Sequence, residues 1–69
     1  MIKCTEVYYN NSSLLMKMEC PIFINLDKVK YFSISDKKFN DKTIYNLRFV
    51  DGDYKAVISE ELDKQFKLD

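Results

Sequence analysis

Apolar and polar positions alternate most clearly in residues 44–59, on either side of one Asp-Gly pair. This alternation predicts a β-hairpin with a type I′ turn at Asp51 and Gly52, because Asp-Gly accepts the positive φ angles of that turn. Val50 and Asp53 then flank the turn. The predicted opposite pairs are Phe49 with Tyr54, Leu47 with Ala56, and Tyr45 with Ile58. This register collects six apolar side chains on one face of the hairpin, and a slip of one residue would scatter them.

A second, weaker alternation covers residues 1–9 and 14–20, and it predicts strands one and two joined by a turn at residues 10–13. The predicted pairs are Tyr9 with Leu14, Val7 with Met16, Thr5 with Met18, and Glu6 with Lys17. Strand two is apolar on both faces near residues 14–16, so one face needs a cover. We therefore expect Leu15, or Leu14 in a shifted register, to contact a second copy of the chain or a protein partner.

The middle of the chain predicts one further strand and a charged loop. Pro21 has no amide donor and marks a break, residues 22–24 start a short strand, and residues 25–28 bend the chain. Residues 29–35 resume as a strand, and residues 36–42 form the loop. Phe39 is a large apolar side chain in that loop, and it either packs beneath the loop or anchors a partner. With its neighbours Lys37 and Lys38 it is a candidate partner-binding residue.

A short helix is predicted at the end of the chain. Ser59 is placed to cap it, and Glu60 and Glu61 lie where the helix dipole favours negative charge. Leu62 and Phe66 form one apolar stripe that must dock on the apolar face of residues 44–59. The predicted fold is α+β and mostly β, a five-stranded antiparallel meander with a C-terminal helix. The sheet is either open or a small barrel, and residues 1–69 form one domain.

The net charge of the chain indicates whether nucleic acid is an expected partner. Eleven basic residues balance eleven acidic ones, so the net charge is zero. Nucleic-acid binding without sequence preference needs an excess of positive charge, so we expect no such partner. The alternative is a nucleic-acid-binding regulator that uses the lysines flanking the 29–35 strand. These are Lys28, Lys30, Lys37, Lys38 and Lys42. Interleaved aspartates favour a plain solvated surface for these lysines instead.

The residue types that usually carry catalysis or metal binding are scarce. The chain has no histidine, and Gly52 is its one glycine, so neither a His-based site nor a glycine-rich phosphate loop is expected. We expect a cytoplasmic protein, where thiols stay reduced, so Cys4 and Cys20 are predicted to be buried free thiols, with a disulfide between them as the alternative. Two cysteines without histidine do not complete a zinc site. We expect no catalytic, metal or cofactor residues. No signal peptide and no apolar run of about 20 residues is present, so no membrane span is expected.

Three stretches form a recognisable pattern: Met1 and Ile2 with Thr5, the turn at residues 24–29, and the run from Thr43 to Glu61. Together they resemble the FlbD-like family of small flagellar proteins. The turn Ile-Asn-Leu-Asp-Lys-Val is similar to that family's leucine–Asn–x–Asp–x–isoleucine turn. Residues 22–65 also resemble part of a LytTR DNA-binding domain. The FlbD-like resemblance implies a cytosolic, non-enzymatic accessory protein without catalytic residues.

The leading functional hypothesis is therefore a small non-enzymatic interaction module, an adaptor or an inhibitor of a protein partner. A single ordered domain without catalytic groups, charge excess or cofactor motif acts through its surface.

Overall fold

A computed structural model describes residues 1–9 and 15–66 of the chain. Within these residues the chain forms six strands, a short 3-10 helix over Leu26–Lys28, and one α-helix. The elements are β1 (Ile2–Tyr9), β2 (Leu15–Lys17), β3 (Ile22–Ile24), β4 (Val29–Phe39), β5 (Lys42–Phe49), β6 (Tyr54–Ile58) and α1 (Glu60–Phe66). The mostly β class with a C-terminal helix is confirmed. The predicted turn at residues 10–13, together with Leu14, lies outside the described residues.

The strands form one open antiparallel sheet in the order β2-β1-β6-β5-β4. β2 pairs with one end of β1, and β3 pairs with its other end. The strand order differs from the predicted five-stranded meander in two ways. The segment at residues 22–24 is a strand of its own, and β1 lies beside β6, where Thr5 is opposite Ile58.

The central hairpin is present, but its predicted register is wrong by one residue. Tyr45 is opposite Val57 and Leu47 is opposite Lys55. The loop contains three residues, because the Phe49 amide donates to the Asp53 carbonyl (2.9 Å) and the Gly52 amide donates to the Phe49 carbonyl (3.0 Å). Gly52 has φ +92°. A turn followed by a left-handed glycine is the usual three-residue hairpin loop, and its extra residue shifts the pairing.

A two-residue turn lies between β4 and β5 instead. Asn40 and Asp41 have φ values of 49° and 66°, and a type I′ turn requires positive φ at both central residues. Phe39 is opposite Lys42 across this turn. The prediction of a charged loop at residues 36–42 is therefore wrong, and Lys37, Lys38 and Phe39 belong to β4.

The first hairpin is also shifted by one residue from its predicted register. Tyr9 is opposite Leu15, and Val7 is opposite Lys17. The predicted pair of Glu6 with Lys17 is wrong, because Lys17 is opposite Val7. A Glu6 carboxylate oxygen lies 4.0 Å from the Lys55 ammonium nitrogen instead. β2 is apolar at successive positions, so alternation along it did not fix the register.

The sheet buries apolar side chains on both faces. The face that α1 covers, here called the helix face, carries Tyr45, Leu47 and Val57 with Leu62 of the helix packed on them. The full cluster on the helix face is Ile2, Cys4, Ile24, Tyr45, Leu47, Val57 and Leu62. The opposite face, here called the open face, buries a smaller cluster of Val7, Ile44 and Ile58. The corrected register explains this, because it moves Ala56 and Ile58 away from Tyr45.

The sheet is curled over its open face. Leu15 of β2 and Phe39 of β4 both pack against the open-face cluster, although β2 and β4 are at opposite ends of the strand order. The Lys37 ammonium nitrogen lies 5.0 Å from the centroid of the Tyr9 ring. The two ends of the sheet therefore approach each other on this side, and Phe39 packs beneath them.

Ser59 fixes the start of α1, as predicted. Its hydroxyl oxygen accepts a hydrogen bond from the Leu62 amide (3.3 Å) and donates one to the Lys3 carbonyl (2.8 Å). A Glu61 carboxylate oxygen accepts from the Lys3 amide (2.6 Å). The cap therefore ties the helix to β1 as well as satisfying its own first turn.

The two cysteines have different environments. Cys4 is buried in the helix-face cluster, and burial raises the pKa of its thiol, with the Glu61 carboxylate acting in the same direction and a hydrogen bond with Ser59 opposing it. Cys20 is exposed, so the prediction that both thiols are buried is wrong for Cys20. The reason is that β2 ends at Lys17 and Cys20 follows in an irregular segment.

Candidate functional site

β4 is an edge of the sheet. It pairs with β5, and no other described strand pairs with its outer side. Its pairing is irregular at two places, between Val29 and Tyr31 and again between Ile34 and Lys38. Between these bulges, residues 31–34 pair without interruption with residues 45–48. β4 therefore presents four consecutive residues of regular, unpaired edge, here called the edge window.

The edge window carries none of the usual protection against strand pairing. Proteins blunt their edge strands with bulges, prolines and charged side chains, above all lysine. Both bulges and all the charges of β4 lie outside the window, whose four residues are Tyr, Phe, Ser and Ile. Tyr31 is 62% exposed, Phe32 38% and Ile34 47%. A regular, uncharged and partly apolar edge is the kind of edge to which another strand can be added.

The aromatic ring of Phe32 is supported from beneath. It stacks on Phe66 of α1 with 4.6 Å between ring centroids and on Tyr45 of β5 with 5.5 Å. The Phe66 ring is itself 6.1 Å from the Tyr45 ring. Stacked rings restrict one another, so Phe32 is held in place before any partner arrives. Phe32 and Phe66 together form an exposed apolar patch at the edge of the helix face, here called the edge patch.

Tyr45 forms the buried floor of the edge patch. Its side chain is fully buried, and its hydroxyl donates a hydrogen bond of 2.5 Å to an Asp63 carboxylate oxygen. Burial raises the pKa of Tyr45 well above its usual value, and the hydrogen bond and negative charge of Asp63 raise it further. Tyr45 therefore joins the sheet to α1 in its neutral form.

This arrangement predicts a specific loss of stability at alkaline pH. A raised folded-state pKa contributes stability that is fully present below the unfolded tyrosine pKa of about 10 and is lost as pH rises towards the folded value. We expect the free energy of unfolding to fall as pH rises above about 10. Denaturant titrations at successive pH values measure this dependence. Tyr45→Phe should show a shallower fall, whereas the exposed control Tyr31→Phe should match the unaltered protein. Equal slopes for all three would contradict the assignment.

The open face carries a groove of about 700 Å³ between the curled ends of the sheet. Three of its lining side chains are the exposed tyrosines Tyr8, Tyr9 and Tyr54. Glu6 and Asp36 line it together with Lys37 and Lys55. The groove therefore mixes both signs of charge and does not favour one class of ligand.

The structure places the predicted partner-binding residues on different surfaces. Leu15 and Phe39 are half-buried and face the open-face cluster, and Lys37 lies beside Tyr9 on the same side. Lys38 is exposed in β4, opposite Thr43. A homodimer contact through Leu15 stays a prediction.

The lysines of the nucleic-acid alternative do not form a compact cluster. Lys28, Lys30, Lys37 and Lys38 follow the length of β4 and the turn before it. Ten residues of strand span roughly 30 Å. Lys42 lies on β5, and its ammonium nitrogen is 3.9 Å from a Glu60 carboxylate oxygen.

Sequence reasoning missed the edge window. Phe32 and Ile34 were placed correctly on a strand, but local sequence does not show whether a strand is central or at an edge. The available signal was the uncharged run Tyr-Phe-Ser-Ile between Lys30 and Asp36, which stands out on a strand otherwise rich in charge.

Among residues 1–9 and 15–66, no three cysteine or acidic side chains come together as they would around a metal ion. Over the same part of the chain, no helix is long and apolar enough to cross a membrane.

Comparisons of the chain with family models, with curated proteins and with solved structures found no match. The FlbD-like resemblance therefore stays a prediction.

Proposed function

We propose that this protein is a small, non-enzymatic interaction module of the cytoplasm that binds a protein partner by adding a strand to β4. The observation that carries the proposal is the edge window: four uncharged residues of regular edge between two bulges. An extended segment of the partner pairs its backbone with the free amide and carbonyl groups of this window. Such a contact suits an adaptor or an inhibitor, because it needs no catalytic group or cofactor on this chain.

Side chains give the added strand its specificity. Residues of a strand point alternately to the two faces, so Phe32 and Ile34 lie on the helix face and Tyr31 and Ser33 on the open face. A partner strand with apolar residues on its helix-face side covers the edge patch. Affinity then comes from backbone hydrogen bonds together with burial of the rings.

The cytoplasmic assignment is supported by the chain's two cysteines, since both are free thiols in the structure. The FlbD-like resemblance fits the same proposal, because it implies an accessory protein that acts without catalysis.

The test compares two lysine substitutions. Ile34→Lys places a charge in the edge window, and Val50→Lys is a matched control, since Val50 is an exposed apolar residue of the β5–β6 loop. Each protein is used as bait in nuclease-treated host extract, and any retained protein is identified, purified and bound again. We expect the unaltered chain and Val50→Lys to bind the same protein with similar affinity. Ile34→Lys should lose at least tenfold in affinity, because burying a lysine ammonium group against an added strand is unfavourable.

Thermal denaturation must first show that both variants melt close to the unaltered protein. Equal binding by Ile34→Lys would refute strand addition at β4. If the chain retains nucleic acid from untreated extract in a parallel experiment, and nuclease treatment abolishes that retention, the lysine-based alternative would be supported instead.

A further inference from the structure

We propose that the outer end of the β4–β5 hairpin is a hinged flap that closes the open-face groove and is latched by Lys37 against Tyr9. The flap comprises residues 35–43, the part of the hairpin that lies beyond the second bulge of β4. The structure holds it closed. When the flap opens, the groove and the open-face cluster become accessible to solvent. This inference concerns a face of the sheet, so it does not depend on strand addition at the edge window.

The hinge is the bulge that follows the edge window. Before the bulge, Ile34 is opposite Tyr45, and after it Lys38 is opposite Thr43. Residues 35–37 of β4 therefore lie opposite a single residue of β5, and two of the three are in excess. Excess residues bend the bulged strand and interrupt its ladder of hydrogen bonds. The flap is thus joined to the rest of the sheet at a bend, without a continuous ladder on the β4 side.

The degree of burial changes at the same place. No residue from 35 to 43 is fully buried, and most of them are exposed. Ile44 is the next residue of β5, and it is buried in the open-face cluster. Segments with few buried contacts open at a lower free-energy cost than the core of the same protein. The flap can therefore separate from the open face while the sheet beneath it stays folded.

Three side-chain contacts hold the flap closed. Phe39 packs against the open-face cluster. The Lys37 ammonium nitrogen lies 5.0 Å from the centroid of the Tyr9 ring, within the range of a cation–π interaction. Lys42 is 3.9 Å from a Glu60 carboxylate oxygen, but both groups are exposed, so this pair adds little. Of the three contacts, the one between Lys37 and Tyr9 joins β4 to β1 and is the latch.

The bulge also forms part of the wall of the groove. Ser35, Asp36 and Lys37 all line the groove of about 700 Å³, together with Tyr9 of β1 and Leu15 of β2. Within the bulge, the Lys37 amide donates a hydrogen bond to the Ser35 hydroxyl oxygen (3.1 Å). The bulge therefore has local support of its own in place of the interrupted ladder. Movement at the hinge changes the opening of the groove directly, because the hinge residues are its lining.

The number of excess residues provides a precise variant. Without Asp36 and Lys37, Ser35 would lie opposite Ile44, and the pairs on either side would keep their present partners. Side chains along a strand alternate with a period of two, so the remaining residues would also keep their faces. Deletion of these two residues is therefore expected to give a straight, continuous hairpin that no longer bends over the groove and has no latch.

The experiment measures iodoacetamide labelling of Val7→Cys in the full chain. Val7 lines the groove and is 4% exposed, so a thiol at this position reacts only after the groove opens. Cysteine is close to valine in size and is common in protein interiors. The native thiols provide two references in the same sample. Cys20 is exposed and sets the upper limit, whereas Cys4 is buried on the helix face and reports global unfolding.

The three thiols are distinguished by peptide mass spectrometry at low extents of labelling. Each rate is divided by the rate of the same thiol in denaturant, which removes differences in intrinsic reactivity. We expect the thiol at position 7 to react about tenfold faster than Cys4 and more slowly than Cys20, because the flap opens more often than the whole domain unfolds.

Loss of the latch should accelerate labelling at position 7 and leave Cys4 unchanged. Lys37→Ala in the Val7→Cys chain should raise the rate about two- to fivefold, the factor expected for one exposed cation–π contact. The deletion of Asp36 and Lys37 should raise it about tenfold, towards the rate of Cys20. Lys38→Ala is the matched control, since Lys38 is the next lysine of β4 and does not line the groove. It should change neither rate.

Two results would overturn the proposal. One is a thiol at position 7 that reacts no faster than Cys4, because it would then be reached only by global unfolding. The other is a rate at position 7 that Lys37→Ala does not raise, because the groove would then open elsewhere, for example by detachment of β2. Lys37→Ala changes one exposed side chain, so it keeps the test decisive even if the deletion variant does not fold.

Discussion

Leu47→Asp is expected to unfold the domain at room temperature. Leu47 has no exposed surface and lies at the centre of the helix-face cluster. Burying an unpaired carboxylate costs several kcal/mol. A domain of this size has about 3–5 kcal/mol of stability from its core, so the substitution removes most or all of it. Circular dichroism and thermal denaturation measure the result.

Lys55 is opposite Leu47, yet it is not placed to rescue the buried charge. Its ammonium nitrogen lies 3.7 Å from an Asp53 carboxylate oxygen and 4.0 Å from one of Glu6. To reach a carboxylate at position 47 it would leave both partners and lose its contact with water. The protonated form of the new side chain is therefore favoured, and it still leaves polar atoms without partners in the core.

The matched control is Arg48→Asp on the next residue of β5. Arg48 is exposed and points to the open face, so the new charge stays in water. We expect its melting temperature to stay within a few degrees of that of the unaltered protein. Similar melting temperatures for Leu47→Asp and Arg48→Asp would mean that the assignment of faces in β5 is wrong.

Leu62→Ala should be the second most damaging change. Leu62 is the one fully buried side chain of α1 among the described residues, and it packs on the cluster that contains Tyr45 and Val57. Truncating a buried leucine costs about 2–5 kcal/mol, the lost transfer energy plus the cavity that remains. Because α1 is too short to be stable alone, it detaches when this contact is lost.

Gln65→Ala is the control, since Gln65 is exposed on the same helix and alanine favours helix formation. Denaturant unfolding followed by far-ultraviolet circular dichroism compares the two variants. We expect a large loss of the free energy of unfolding for Leu62→Ala and almost none for Gln65→Ala. If both variants unfold at the same denaturant concentration, α1 is not docked through Leu62.

The sequence correctly predicted the start of α1 and the bend at residues 25–28, because each depends on contacts between residues close together in the chain. The start of α1 follows from the Ser59 hydroxyl and the glutamates after it, and its docking stripe from Leu62 and Phe66. The bend at residues 25–28 follows from Asn25, whose side-chain oxygen accepts from the Asp27 amide at 3.0 Å. In each case the group that determines the structure lies within four residues of its partner.

Both hairpin registers were wrong by one residue for a physical reason. The Asp-Gly pair is compatible with a two-residue turn and also with a three-residue loop that ends in glycine. In the structure Val50 belongs to the loop, which makes the loop three residues long. The residue type of Val50 gives no signal that distinguishes the two loop lengths. Adjacent buried residues such as Ile44 and Tyr45 add to the difficulty, because a curled sheet with two apolar faces weakens the alternation that register arguments use.

The candidate site depends on pairing between distant parts of the chain. β4 is an edge because β6 lies between β5 and β1, and that order follows from the pairing of Thr5 with Ile58. These residues lie at opposite ends of the sequence. The uncharged run of the edge window was visible in the sequence, whereas its position at an edge was not.

The far edge of the sheet limits how large an assembly can grow. On that side β1 is covered by two strands of three residues each, β2 and β3, and the irregular segment between them ends at Pro21. Strands this short and interrupted are poor templates for a further chain. A chain with two equally open edges would stack end to end into filaments. Because this far edge is blunted, an assembly formed by strand addition at β4 is not expected to extend through the opposite side of the sheet.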